Sequence, residues 1–229
     1  MNTTTMSPSG EPFLNGIEKA GLMPVLVIHE AEQALPLLAC LMENGMTAVE
    51  VAWRTPDFLP MLTKIRREFP GLLLGVGTVL TSEQVWEAHD AGADFGLSPG
   101  ISRVVVEAAA GRNWPFVPGV MTPSDIQLAV DLRCRLLKFF PAETAGGAAH
   151  LRAMVSPFLH LGLRFIVLGG VGPDNIGSYG GESHVAAIGG SWIASPKHIE
   201  ARDWKGIGLR MREALDLVRN ESAATRNAP

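Results

Sequence analysis

The chain is short of cysteine, of net charge and of long apolar runs, and each shortage excludes a class of protein. Among its 229 residues only Cys40 and Cys134 are cysteines. Two cysteines without a CxxC spacing build neither a disulfide framework nor a zinc site, which fits a reduced, cytoplasmic compartment. Net charge is −4, and the lysines and arginines are scattered rather than gathered into a stripe. The electrostatic footprint of a nucleic-acid binder is therefore missing. No apolar run approaches the roughly 18 residues that a membrane span needs. Residues 1–10 have neither the basic start nor the apolar stretch of a secretory signal, and they read as a disordered tail. His29, His89, His150, His160, His184 and His198 show no paired spacing with carboxylates, so neither a metal nor a cofactor is expected.

What is present is an ordinary globular composition, 47% hydrophobic and 18% charged, on a chain long enough for one large domain. Short apolar runs alternate with longer helical patterns, the signature of repeated βα units and a parallel sheet. The runs fall at residues 23–28, 48–53, 72–76, 95–98, 115–117, 136–140, 164–168 and 185–188. Between them, residues 31–44, 82–91, 102–110, 123–132 and 145–155 repeat apolar positions at three- and four-residue intervals. The short spacing of these units favours a (β/α)8 barrel of the TIM type over a doubly wound open sheet. An extra helix at residues 11–21 would plug the barrel floor, residues 204–220 would close it, and residues 221–229 read as a second tail. The domain then spans residues 11–220. Its seventh unit is the weakest, because Gly177, Gly180 and Gly181 leave room only for a short helix.

Lys138 lies in the run Leu136-Leu137-Lys138-Phe139-Phe140-Pro141, inside a predicted buried strand. An ammonium flanked by Leu and Phe loses hydration, which favours the neutral, nucleophilic amine. The alternative is a lysine that snorkels past its apolar neighbours to water. Lys19, Lys64, Lys197 and Lys205 lie in polar or helical surroundings and read as surface charge. In the second strand, period two puts Glu50, Ala52 and Arg54 on one face, with Glu50 deep and Arg54 near the lip. A carboxylate between two valines needs a partner. That partner is either a structural base such as Arg54 or, inside one barrel, the amine of Lys138, which makes Glu50 a general acid/base.

Barrels of this type carry their reactive groups at the C-terminal strand ends and often hold phosphate on the loops after strands seven and eight. Gly169-Gly170-Val171-Gly172 and Gly189-Gly190-Ser191-Trp192 occupy those two positions. Glycine lets backbone approach an anion closely, so the pair reads as a phosphate cradle; the alternative is two tight turns after strands. Thr78, after strand three, offers a hydroxyl at the same rim, and Ser98-Pro99-Gly100 ends strand four.

Taken together, these segments resemble the 2-keto-3-deoxy-6-phosphogluconate (KDPG) aldolase and 4-hydroxy-2-oxoglutarate (KHG) aldolase family, the small class I barrels of the Entner–Doudoroff pathway. The matching pieces are Val49-Glu50-Val51 with Arg54-Thr55, Gly75-Val76-Gly77-Thr78-Val79-Leu80, Ser98-Pro99-Gly100, Pro118-Gly119-Val120, Lys138-Phe139-Phe140-Pro141-Ala142-Glu143, Gly169-Gly170 and Gly189-Gly190-Ser191-Trp192. The resemblance implies that Lys138 forms a Schiff base with the substrate's C2 ketone while Glu50 moves protons. Arg54 and Thr78 would hold the carboxylate, Phe140 would wall the site, and Gly169, Gly170 and Ser191 would bind the phosphate, beside Pro99, Leu168 and Gly190. The products would be pyruvate and glyceraldehyde 3-phosphate, from a small keto acid phosphate. Members are commonly homotrimers, with no nucleic-acid or membrane partner.

Two positions depart from the family pattern. Leu168 stands where the phosphogluconate enzymes usually carry Thr and the related phosphogalactonate aldolases an apolar Val. Ala52 stands where the family often has an inward Thr. Lost hydroxyl contacts relax the discrimination that such contacts create. Related substrates, 2-keto-3-deoxy-6-phosphogalactonate and 4-hydroxy-2-oxoglutarate, stay open, while Arg54, Pro99 and the Gly189–Trp192 turn lean toward the gluconate branch. Two readings of another kind are a sugar-phosphate isomerase or epimerase with Glu50 as base, and a non-catalytic sugar-phosphate binding barrel.

Overall fold

The computed structural model describes residues 10–226. Helix α1 (Gly10–Ala20) precedes β1 (Leu22–Leu26), a 3-10 turn and α2 (Ala34–Glu43). The alternation continues through β2 (Ala48–Ala52), α3 (Phe58–Glu68), β3 (Leu73–Gly77), α4 (Ser82–Asp90), β4 (Phe95–Leu97) and α5 (Arg103–Gly111). Next come β5 (Phe116–Val117), β6 (Gly119–Val120), α6 (Pro123–Asp131), β7 (Leu136–Phe139), α7 (Gly147–Val155) and β8 (Arg164–Val167). A 3-10 turn at Ile176–Tyr179, β9 (Val185–Gly190), α8 (Pro196–Glu200) and α9 (Trp204–Arg226) complete the chain. Among the described residues no helix is long and apolar enough to cross a membrane.

All strand pairs are parallel, in the order β5-β4-β3-β2-β1-β9-β8-β7-β6. The two ends of this order, β5 and β6, are halves of one strand interrupted by Pro118. Proline has no N–H to give to a ladder, but its carbonyl still accepts. The Lys138 N–H donates to Pro118 O at 2.9 Å, and the Ser98 N–H donates to Val117 O at 3.3 Å. The interrupted strand therefore joins β4 to β7 and closes the sheet into an eight-staved barrel, counting β5 and β6 as one of the nine.

Period two then sorts every strand into an inside and an outside. Val49 and Val51 on β2, with Leu137 and Phe139 on β7, face the helices, where they join the two larger buried clusters. Ala48 and Leu136 face the lumen with Met23, Phe95, Ile166 and Leu168. Ile17 of α1, 1% exposed, joins this inner cluster, and the Phe13 ring lies 4.9 Å from that of Phe95. Helix α1 thus stoppers the N-terminal end of the barrel, as its amphipathic pattern requires. Gly21, at φ +62, ends the helix and donates its N–H to Ile17 O, the usual glycine stop.

Outer helices start where the sequence supplies caps. Thr81 with Gln84 and Thr122 with Asp125 each form a reciprocal capping box, and Pro123 occupies the first turn of α6. The weak seventh unit holds only the Ile176–Tyr179 turn, in line with its glycines.

The structure moves several sequence-based boundaries. The fifth strand runs past Val117 to Val120 because Pro118 interrupts one edge without ending the strand. The first strand stops at Leu26, and α3 adds a helix that the sequence pattern did not single out. Gly10 already belongs to α1, and α9 continues to Arg226, so the expected second tail is helical over most of its length. The rest of the two expected tails, residues 1–9 and 227–229, lies outside the described residues.

Candidate active site

Lys138 on β7 and Glu50 on β2 come from diametrically opposite staves: four steps separate these strands in either direction around the barrel. Their side chains meet across the lumen, with Nζ donating to Oε1 at 3.2 Å and lying 3.4 Å from Oε2. Side-chain exposure is 7% for the lysine and 2% for the glutamate. Burial of this depth leaves each charge dependent on the other for its solvation. The alternative partner for Glu50, Arg54, is not the one chosen; Arg54 lies exposed at the lip beyond β2. Lys138 does not snorkel either, since its head ends inside the barrel.

Local sequence explains how Glu50 fits. It is paired in register with Gly75, and Ala52 with Gly77. A Cβ on Gly77 would stand 1.9 Å from Glu50 Oε1, and one on Gly75 would stand 2.4 Å from the Phe95 ring. The inward glycines of β3 therefore make the space that the carboxylate and the ring occupy. On the other side, the Phe140 ring centroid lies 5.0 Å from Lys138 Nζ, within cation–π range and directly beside the ion pair.

Around this pair, the remaining predicted residues follow the C-terminal strand ends. Thr78 comes directly after β3, half-buried, with φ 66. A β-branched residue in the left-handed region is strained by about 1–3 kcal/mol, and such strain collects at functional sites. Pro99 is exposed after β4, its turn held by Ser98 Oγ donating to Gly100 O at 2.6 Å. Leu168, 2% exposed, follows β8 and packs its side chain toward the Gly189 backbone. Gly169 and Gly170 follow with φ +100 and +83, and a Cβ on Gly169 would meet Phe140 at 2.9 Å. Gly190 ends β9, and Ser191 is exposed just beyond it. The structure brings buried Lys138 and Glu50 together with half-buried Phe140 in one group and sets Gly169 against it. Arg54, Pro99 and Ser191 sit at the mouth rather than in that group.

Sequence reasoning did not single out one feature of this rim. Tyr179, the chain's only tyrosine, is 1% exposed and donates its hydroxyl to Glu143 Oε1. Burial, reinforced by the Glu143 carboxylate, pushes the phenol well above its ordinary range. The available signal was one large aromatic in a glycine-rich turn, which must find somewhere to bury its ring.

A cavity of about 400 Å³ opens elsewhere, at the N-terminal strand ends, lined by Glu18, Arg164, Tyr179, Gly181 and Glu182 among others. It lies beyond the stoppered floor and touches neither Lys138 nor Glu50. Among the described residues no three His, Cys, Asp or Glu side chains converge on a common point.

Known proteins share this architecture. The family model described as "KDPG and KHG aldolase" matches residues 14–209. A 2-dehydro-3-deoxy-phosphogluconate aldolase of Haemophilus influenzae is 33% identical over 214 residues, covering 93% of this chain and 100% of that protein. A KHG/KDPG aldolase of Escherichia coli is 36% identical over 195 residues, covering 85% of this chain and 91% of that protein. Among solved structures, a KDPG aldolase from Legionella pneumophila, with pyruvate captured at low pH as a covalent carbinolamine, superposes with a TM-score of 0.83 at 34% identity. The match covers 87% of this chain and 96% of that one.

Proposed function

We propose that this chain, which belongs to the KDPG and KHG aldolase family, cleaves 2-keto-3-deoxy-6-phosphogluconate to pyruvate and glyceraldehyde 3-phosphate through a Schiff base on Lys138. The observation that carries this reading is the buried contact of 3.2 Å between Lys138 Nζ and Glu50 across the lumen. An amine and a carboxylate held this way exchange a proton directly, which leaves a neutral nucleophile beside its own acid.

The chemistry follows from that pair. The amine adds to the C2 ketone, and Glu50 gives its proton to the departing carbinolamine hydroxyl, so that water leaves and a protonated imine remains beside an ionised Glu50 carboxylate. Glu50 takes the proton of the C4 hydroxyl, the C3–C4 bond breaks, and its electrons move onto the imine nitrogen to give an enamine. The aldehyde leaves, C3 of the enamine is protonated, and hydrolysis of the new imine returns pyruvate and the free lysine. Arg54 and Thr78 hold the substrate carboxylate, Phe140 walls the reacting carbons, and Gly169, Gly170, Gly190 and Ser191 hold the terminal phosphate by backbone and hydroxyl groups. Pro99 and Leu168 border the space between. No metal or cofactor enters this scheme, because the imine itself is the electron sink.

Borohydride added with pyruvate tests the reading. A permanent adduct on the Lys138 peptide is expected, and a mass spectrum with Lys138 unmodified would overturn it. Leu168 and Ala52 support a second reading within the same family, in which 2-keto-3-deoxy-6-phosphogalactonate or 4-hydroxy-2-oxoglutarate is also cleaved, since neither side chain offers a hydroxyl to select a substrate epimer. Rates on the three substrates compared side by side decide between them. A homotrimer in the cytoplasm is part of the proposal. The resemblance to a family of common homotrimers supports the trimer, and free Cys40 and Cys134 fit a reducing compartment. Sedimentation equilibrium reads the trimer directly.

A further inference from the structure

A closed circuit of hydrogen bonds surrounds the Gly169–Gly170 turn. The Glu143 N–H donates to Gly169 O at 3.0 Å, and the Ala142 N–H donates to Leu168 O at 2.9 Å. Asn175 Nδ2 donates to Gly170 O at 3.1 Å, while its Oδ1 accepts from the Gly172 N–H at 2.8 Å. Asn175 opens the 3-10 turn that ends at Tyr179, and the Tyr179 hydroxyl returns to Glu143 Oε1. The circuit therefore runs from Glu143 through the glycine turn, Asn175 and Tyr179 back to Glu143.

Two glycines with positive φ have no side chains to hold their own conformation, and glycine is the most permissive residue of the backbone. Their geometry must be imposed from outside. Packing does part of this, because a Cβ on Gly170 would lie 2.8 Å from Glu143 Cβ. The circuit supplies the rest, and its one link between distant side chains is the phenol–carboxylate bond. Tyr179 is 1% exposed, and Glu143 is the partner its hydroxyl takes.

We infer that Tyr179, acting through Glu143, is a positioning residue that holds the Gly169–Gly170 turn in the conformation that grips the substrate's phosphate. This rests on the aldolase reading above and adds to it a residue outside the site that governs affinity for phosphorylated substrates. Tyr179 touches no reacting atom. Its loss leaves the Lys138–Glu50 pair in place and acts on substrate affinity.

The test uses the full-length protein and its Tyr179→Phe variant, which keeps the buried ring and removes only the hydroxyl. The KM for 2-keto-3-deoxy-6-phosphogluconate is expected to rise about tenfold, equivalent to about 1.4 kcal/mol, with kcat held within about twofold of its starting value. Borohydride trapping of pyruvate, which has no phosphate, should proceed at the wild-type rate. Amide hydrogen exchange should quicken at residues 169–172 while the barrel strands keep their protection. Glu143→Gln, whose amide oxygen still accepts from the phenol, should stay close to wild type in KM, whereas Glu143→Ala should match Tyr179→Phe. If Tyr179→Phe does not fold, Asn175→Ala breaks the same circuit and should show the same selective rise in KM. An unchanged KM, or an equal loss of phosphorylated-substrate affinity and pyruvate trapping, overturns the inference. A wild-type protein that forms no pyruvate adduct overturns the aldolase reading instead, and this role with it.

Discussion

Glu50 and Gly77 lie on neighbouring strands, and the carboxylate of the first fills the place where a side chain of the second would begin. A Cβ at Gly77 would fall 1.9 Å from Oε1 and 2.7 Å from Cγ of Glu50. The position of the proposed proton carrier is thus set by an absence one strand away.

Gly77→Ala therefore displaces the carboxylate from Lys138. Turnover should fall at least tenfold, as misplacement of a reacting group predicts, and overpacking of the lumen should lower stability by about 1–3 kcal/mol. A coupled pyruvate assay and urea unfolding measure the two effects. Unaltered turnover would mean that Glu50 acts from another position.

The ion pair itself separates stability from chemistry. Lys138→Met strands a carboxylate that is 2% exposed, and about 3–5 kcal/mol of stability should be lost. The double variant Lys138→Met with Glu50→Gln should recover most of that loss, because the unpaired charge is gone. Glu50→Gln alone should still trap pyruvate with borohydride but turn over roughly 10²–10⁴-fold more slowly. Equal stabilities for the single and double variants would show that the two charges are not coupled.

Leu168 gives a specificity prediction. Its side chain is 2% exposed and, under the proposed aldolase reading, would present only methyl groups where a hydroxyl would bond a substrate oxygen. Leu168→Thr should raise the ratio of kcat/KM for the gluconate over the galactonate substrate by about tenfold or more, since sites that hydrogen-bond a hydroxyl discriminate more strongly than apolar ones. Initial rates on both epimers check this, and a wild-type enzyme that already prefers the gluconate form strongly would refute its premise.

His184 ties stability to pH. It is 8% exposed, its Nε2 has no hydrogen-bond partner among the described residues, and Phe165 packs edge-on against its ring. Burial lowers its pKa below the ordinary 6.5, opposed by Glu182 and assisted by Arg164 and Arg152. The unfolded chain therefore takes up the proton first as pH falls. The stability contribution is whole above about pH 6.5 and is lost as pH drops through the lower, folded value. Urea midpoints between pH 7.5 and about 5 should fall more steeply for wild type than for His184→Gln. Parallel slopes would exclude His184 as the source.

Much of this barrel is legible in its sequence because burial on both faces of a parallel strand leaves a short apolar run, and each run here is bounded by Gly, Pro or a capping residue. Lys138 and Glu50 stand out as charges in such runs. Their meeting is less legible, because opposition across the lumen arises only when the sheet closes, and closure depends on the strand that Pro118 divides. A proline inside two short apolar pairs reads locally as an end, although its carbonyl continues the ladder to Lys138. Tyr179 is harder still. Its partner lies 36 residues away, and no periodicity connects a 3-10 turn to the segment after β7.

Helix α1 gives the barrel a single doorway. With Ile17 and Phe13 seated among the lumen side chains, whatever reaches Lys138 must return past Arg54, Pro99 and Ser191. In the proposed reaction the three-carbon fragment bonded to Lys138 would lie at the bottom of this well and the phosphorylated aldehyde nearer its mouth. Traffic then has a fixed sequence: the aldehyde departs first, the keto acid follows, and in the synthetic direction pyruvate must enter before its partner.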